Sequence, residues 1–220
     1  MIPVIGFGAG GHAKVVIEIL RLATGFEIVG LLDRNVQLRG SDVLGVPVLG
    51  DDSFASALAA RGVRHAFVGI GGTASTCARR RVFDRVRELG FDVVSAVHPS
   101  AVVSPSAVVG AGATIMAGVV VNASAMFGVD VTVNTGAVVE HDCRLGDHVH
   151  VATGARLAGG VTVLDGAHVG VGATIRQGMT IGRRSVVGAG AVVVDDVADG
   201  VIVVGVPARV LRPVDASDGC

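Results

Sequence analysis

The stretch Val121-Asn-Ala-Ser-Ala-Met-Phe127-Gly-Val-Asp-Val-Thr-Val133-Asn-Thr-Gly-Ala-Val-Val139-Glu-His-Asp-Cys-Arg-Leu145 carries a large apolar residue at every sixth position. The phase runs on in both directions. Stepping by six from Val97 to Val193 meets 17 positions, all of them apolar. Two residues before each, from Ala101 onward, a second row is small or slim throughout, with Met179 as the exception. The positions between hold most of the Gly, Asp, Asn, Thr and His. A strand alternates with period two over a short stretch, and a helix repeats at 3.6. Neither matches 16 uninterrupted hexads spanning residues 98–193. Glycine at this density would also cost a helix about 1 kcal/mol per interior site. A β-sandwich does not fit either, because irregular turns separate its strands. The pattern therefore predicts a coil of short stacked strands, with the large residue pointing inward and the slim one turning the corner. Three hexads per turn give an 18-residue coil of just over five turns. Coils of this hexapeptide type are left-handed. That handedness follows from the repeat type, against the usual right-handed crossover.

The composition agrees. The chain has 220 residues, half of them hydrophobic, with 33 Gly, no Trp and no Tyr. Small branched residues suit a repetitive β core. A net charge of −1 gives no electrostatic case for nucleic acid or an anionic membrane. Mean hydropathy is high at +0.66, yet no run of about 18 apolar residues suggests a membrane span. The opening MIPVIGFGAGG has no basic region before its apolar stretch, so no signal peptide is expected. Cys77, Cys143 and Cys220 are odd in number and widely spaced. The expectation is reduced thiols in a cytoplasmic setting, with neither a disulfide framework nor a metal knuckle.

Residues 1–97 read differently. Strands are expected at Ile2–Gly6, Glu27–Leu32, His65–Ile70 and Asp92–Val97. Helices are expected at Ala13–Ala23, Phe54–Arg61 and, rich in arginine, Thr73–Leu89. The alternation implies a small parallel α/β sheet. Gly6, Gly8 and Gly11 form G-x-G-x-x-G between a strand and a helix, and Asp33 follows Gly11 by 22 residues. Such glycines let a backbone approach a pyrophosphate, whose charge a helix N-terminus favours, and such an acid meets a ribose. Taken alone the motif suggests NAD and a dehydrogenase. The segment has room for only one mononucleotide-binding half, so the reading is a nucleotide diphosphate site. Its candidates are Gly8, Gly10, Gly11, His12, Asp33, Arg34 and Gly71. The expected division is a Rossmann-like half domain over 1–97, a left-handed parallel β-helix over 98–213 and a tail over 214–220.

Four of the seven histidines lie mid-coil. His141 is flanked by Glu140 and Asp142, and a carboxylate beside an imidazole fixes its tautomer and raises its basicity. It is the candidate general base. His150 and His168 are 18 apart and should stack one turn above the other. His148 and His168 are read as exposed polar residues. Nearby histidines raise zinc as an alternative, but no spacing compels it and no metal is expected. Cys143 falls in the slim inward row and is read as core.

Gly6-Phe-Gly-Ala-Gly-Gly-His12, Leu31-Leu-Asp33, His98-Pro-Ser-Ala-Val-Val-Ser-Pro105, Glu140-His141-Asp142-Cys143, His148-Val-His150-Val-Ala-Thr-Gly154 and Gly205-Val-Pro-Ala-Arg209 together resemble the left-handed β-helix nucleotide-sugar N-acetyltransferases. The resemblance reaches to about Pro213. It implies a homotrimer with acetyl-CoA between adjacent coils, serving O-antigen or polysaccharide biosynthesis. It implies that His141 is the base and that His150 lies near the acetyl group. It implies further coenzyme contacts at Gly154, Ala155, Gly172, Ala173, Gly190, Val206, Pro207 and Arg209. The family often has Glu where this chain has Asp142. The expected reaction is direct attack of a sugar 4-amine on the thioester, with Glu140 or Asp142 holding the His141 ring and backbone N–H groups near Gly154 stabilising the oxyanion. GDP-perosamine is the favoured acceptor, and UDP-4-amino sugars come next. Sugar O-acetylation of the sialic-acid type, a zinc hydratase and a nucleotide-binding scaffold stay open as alternatives.

Overall fold

A computed structural model describes residues 1–72 and 75–215. The chain begins with β1 (Ile2–Phe7), α1 (Gly11–Ala23) and β2 (Phe26–Leu32). A hairpin follows, β3 (Asp42–Val43) and β4 (Val46–Gly50), then α2 (Ala55–Ala60), β5 (His65–Val68), α3 (Cys77–Glu88) and β6 (Asp92–Val93). The sheet order is β3-β4-β2-β1-β5-β6. All its pairings are parallel except β3 with β4. The all-parallel expectation missed that hairpin. β3 is only two residues long, and the reversal rests on Leu44 and Gly45, both at positive φ as a two-residue turn of this kind needs.

Alternation along β1 sends Val4 to one face and Ile5 to the other. Val4 packs with Val16, Ile17 and Leu20 of α1, the i, i+1, i+4 side of that helix. Ile5 packs with Ala55 and Leu58 of α2 and Val86 of α3. The first cluster also takes in Ala96 and Met116, so α1 closes over the base of the coil. Ala96–Val97 pairs with Thr114–Ile115, which makes it the first strand of the coil and not the end of the α/β sheet. The expected strand Asp92–Val97 is thus two strands that serve two sheets.

From there the chain is a left-handed parallel β-helix with three faces. The first face stacks Ala96–Val97, Thr114–Ile115, Thr132–Val133, His150–Val151, His168–Val169 and Val186–Val187. The second runs from Val102–Val103 to Val192–Val193, and the third from Val108–Val109 to Thr180–Ile181. Each strand pairs 18 residues on, as in Thr132 with His150 and Val138 with Arg156. Val201–Val204 and the antiparallel Arg209–Pro213 cap the first face.

The hexad row fills the interior. From Ile115 to Val193 every one of its members is buried. Burying each Val, Ile or Leu contributes roughly 1.5–3 kcal/mol. Ala137, Cys143, Ala155, Val161 and Ala173 of the slim row have no exposed surface. Cys143 is free and buried, in keeping with its place in the slim row.

A third row governs the corners. From residue 112 to residue 190, every sixth residue has positive φ. Most are glycines, which enter that region without steric cost. The others are Ser124, Asp130, Asp142, His148 and Arg184. Three of these five carry polar groups of the site described next.

Candidate active site

His141 stands at the corner between the second and third faces, between Val138–Val139 and Arg144–Leu145. Its side chain is about half exposed, at 56%. Asp142, placed by its left-handed backbone, holds the ring with an Nδ1–Oδ2 contact of 2.8 Å. A carboxylate only accepts, so Nδ1 carries the proton and Nε2 has the free lone pair. The hydrogen bond to Asp142 raises the His141 pKa above its ordinary 6.5, desolvation opposes it, and the charges of Asp142 and Glu140 add to the rise. Glu140 does not touch the ring; its Oε2 accepts from the His141 backbone N–H at 3.4 Å. Asp142 is therefore the carboxylate that orients the imidazole. One turn on, Gly159 lies beneath the imidazole. A Cβ there would come within 2.7 Å of Cε1 and Nε2, so only glycine leaves the ring its place.

The first face is covered by the α/β unit. Arg79 of α3 is buried on the helix side shared by Thr76, Phe83 and Val86. It pairs with Asp130 at 2.9 Å, and the other Asp130 oxygen accepts from His148 Nδ1 at 2.9 Å. His148 also meets the Phe83 ring edge-on at 5.5 Å. His148 and His168 are buried, which corrects the expectation that both are exposed. The fold of α3 over the coil, invisible to the hexad pattern, covers them. Arg79 was also missed. Its place on the apolar spacing of its helix was the available signal, obscured by Arg80, Arg81, Arg85 and Arg87.

The glycine loop joins this seam. Gly6 and Gly8 serve packing, since a Cβ on either would strike β5 or the residues just after it. Gly10 and Gly11 meet nothing within 4 Å, so space lies open over the α1 N-terminus. Asp33 braces the loop, accepting from Ala9 N–H and Asn35 N–H at 2.8 Å each. Beside it is a cavity of about 380 Å³ lined by Gly8, Asp33, Arg34, Arg81 and Arg85 among others. His12 lies at the edge of the loop next to Gly71, its Nε2 2.9 Å from Arg79. Burial, and then the Arg79 charge, lower its pKa to about 3.

His150 and His168 stack as their spacing predicts, with ring centroids 4.9 Å apart. Gly72 sits over His150, and both rings line a cavity of about 420 Å³. Burial, chiefly, drives their pKa values to about 3 and about 4, so both are neutral at pH 7. Both ring nitrogens of His150 lack hydrogen-bond partners among the described residues.

Of the residues assigned to the coenzyme, Gly154, Gly172 and Gly190 stack along the corner between the first and second faces. Their N–H groups are already spent on Thr135, Thr153 and Val171, so the expected oxyanion donor near Gly154 is not available there. Ala155 and Ala173 are sealed in the coil, with backbone N–H and C=O both bonded, and offer a ligand nothing. They belong to the slim row, which faces inward. Val206, Pro207 and Arg209 are exposed, and Arg209 lies 3.6 Å from Asp195. Within one chain the coil separates His141 from the glycine loop and from His150. Among the described residues no three His, Cys, Asp or Glu side chains gather as a metal cage, and no helix is long and apolar enough to cross a membrane.

The PglD N-terminal domain family model matches residues 4–86. No curated protein sequence matches the chain. The structure of PerB from Caulobacter crescentus, in complex with CoA and GDP-perosamine, is 46% identical, with 94% of this chain and 96% of that chain covered and a TM-score of 0.88. The acetyltransferase domain of PglB from Neisseria gonorrhoeae FA1090, in complex with acetyl coenzyme A, is 35% identical, with 96% and 99% covered and a TM-score of 0.86. WeeI from Acinetobacter baumannii AYE is 27% identical, with 95% and 100% covered and a TM-score of 0.83. The identity to PerB spans both the glycine-loop unit and the coil, so the chain belongs to the left-handed β-helix nucleotide-sugar N-acetyltransferases and is an acetyltransferase.

Proposed function

We propose that this enzyme transfers the acetyl group of acetyl-CoA to the 4-amino group of a nucleotide-linked amino-deoxy sugar, with GDP-perosamine as the favoured acceptor. The observation that carries the mechanism is the exposed His141 imidazole, gripped at Nδ1 by Asp142 and left open at Nε2. The amine nitrogen attacks the thioester carbonyl carbon, and His141 Nε2 takes the amine proton. The tetrahedral centre collapses with loss of the coenzyme A thiolate, leaving the amide. Cys143 plays no part, since it is buried and its thiol pKa is raised chiefly by that burial. The GDP preference rests on the ligands of the 46% identical PerB structure.

The working unit is a homotrimer. His141 occupies the corner opposite the face that the α/β unit covers, so substrate held by one protomer's glycine loop meets the base of a neighbour. Exposed Val102, Val108 and Met126 on the second and third faces give that neighbour an apolar surface. The exposed corner of Gly154, Gly172 and Gly190, with Val206, Pro207 and Arg209 above it, is the stretch offered to acetyl-CoA. His12, Asp33, Arg34, Gly10 and Gly11 hold the nucleotide. The setting is cytoplasmic, in polysaccharide assembly.

The test is thiol release from acetyl-CoA against a panel of GDP- and UDP-linked 4-amino-6-deoxy sugars. Turnover with one of them fixes the acceptor. No turnover with any amino sugar, and turnover with a hydroxyl acceptor, overturns the reading.

A further inference from the structure

Arg79 belongs to none of the sites above, yet it touches two of them. One guanidinium nitrogen, Nη1, lies 2.9 Å from His12 Nε2 and 2.8 Å from the Ile70 carbonyl oxygen. The other, Nη2, lies 2.9 Å from Asp130 Oδ1 and 3.3 Å from both Thr114 Oγ1 and the Gly112 carbonyl oxygen of the coil. A guanidinium has donors and no acceptor. His12 Nε2 must therefore present a lone pair, and the proton of the neutral ring sits on Nδ1. That Nδ1 has no protein partner among the described residues. It lies beside Gly71: a Cβ built there would sit 3.5 Å from both Nδ1 and Cβ of His12, in ordinary contact. A neutral donor thus stands on the Gly71 side of the ring, at the edge of the loop whose Gly10 and Gly11 are open.

We propose that Arg79 is a positioning residue: it locks His12 as an Nδ1–H donor for an acceptor oxygen of the nucleotide-linked substrate, and through Asp130 it fixes that donor relative to the coil. The inference rests on the reading of the glycine loop as the nucleotide-sugar site. Burial and the Arg79 charge hold His12 neutral, so the donor persists across the working pH range. Asp130 and His148 supply the counterweight. They occupy left-handed corners one turn apart, and their hydrogen bond keeps the carboxylate facing Arg79. Lysine could not replace the arginine, because a single ammonium cannot fork to His12 and Asp130 together.

The direct test is the histidine tautomer. Long-range ¹H–¹⁵N spectra of the ¹⁵N-histidine-labelled wild-type protein should show His12 as Nδ1–H, unchanged down to about pH 5. Its signal is identified by its loss in His12→Asn. Binding is then measured for GDP alone and for the GDP-linked 4-amino sugar. His12→Asn, whose amide N–H stands near the Nδ1 position, should stay within about threefold of wild type. His12→Gln, which moves the amide outward, should weaken binding by about tenfold, the loss of one hydrogen bond. Weakening for both ligands places the acceptor on the GDP portion, and weakening for the amino sugar alone places it on the sugar. A folded Arg79→Lys should mix the tautomers and raise the KM for the nucleotide sugar with that for acetyl-CoA unchanged. The wild-type spectrum and the His12 pair decide the matter if Arg79→Lys does not fold. An Nε2–H tautomer, a His12 that titrates near 6.5, or equal binding by His12→Gln and wild type overturns the proposal. Failure of acetyl transfer with every amino sugar would overturn the proposed function while the spectrum still judges the lock.

Discussion

His141 and His150 lie nine residues apart on one coil and are held in opposite states. His141 projects from a corner into water beside two carboxylates, and its pKa is raised. His150 is covered by Gly72 and the α/β unit, with His168, Arg79 and His12 around it, and its pKa falls to about 3. The same side chain is made more basic in one place and kept neutral at pH 7 in the other. The difference lies in what the third dimension brings near. Charge-stabilising groups at a wet corner favour the cation. Burial among donors and other imidazoles forbids it.

The comparison can be broken most forcefully at His141. Its replacement by Asn should cut kcat by about 10²- to 10⁴-fold in the thiol-release assay, the range of general base catalysis. Full activity would mean that the amine arrives already deprotonated. Gly159→Ala comes next. The methyl group would push the imidazole off its seat, and kcat should fall by roughly 10- to 100-fold with the melting temperature nearly unchanged. Unchanged turnover would show that the ring does not rest where the structure places it.

The buried set is sharpened by pH. His12, His150 and His168 have folded-state pKa values below the unfolded 6.5. Their neutral forms therefore stabilise the fold fully above about pH 6.5, and that stability is lost as pH falls from 6.5 toward 4 and 3. The melting temperature should drop through that window, and His150→Asn should flatten the drop. A flat wild-type profile would contradict the burial. The smallest effect is at Asp142. Asp142→Asn removes the hydrogen-bonded charge that favours the imidazolium, so the acid limb of the kcat/KM profile should move to lower pH. Since the base must be neutral, activity rises with pH along that limb. A limb that stays in place would mean that Glu140, not Asp142, sets the basicity.

The coil was legible because its core repeats. The hexad residues from Ile115 to Val193 share one buried core, so packing wrote itself into the sequence as a period. His141 was legible as well, because its partner Asp142 is its chain neighbour. The stacking of His150 on His168 followed from an 18-residue step. What periodicity could not say is which outward residues stay outward. His148 and His168 read as exposed until α3 was seen to cover them. Ala155 and Ala173, which the family resemblance offers as coenzyme contacts, belong to the slim row that faces inside.

The sequence by itself determined the coil, its turn length and the placing of the His141 imidazole between two carboxylates, because those depend on contacts at fixed spacing or between neighbours. Only the tertiary structure decided the rest. It joined Arg79 of a helix to His12 of a loop and to Asp130 of the coil, pairs separated by 67 and 51 residues. It also set His141 on the corner away from its own glycine loop. Such contacts arise from docking one unit on another, and no local pattern of residues encodes the angle at which they meet.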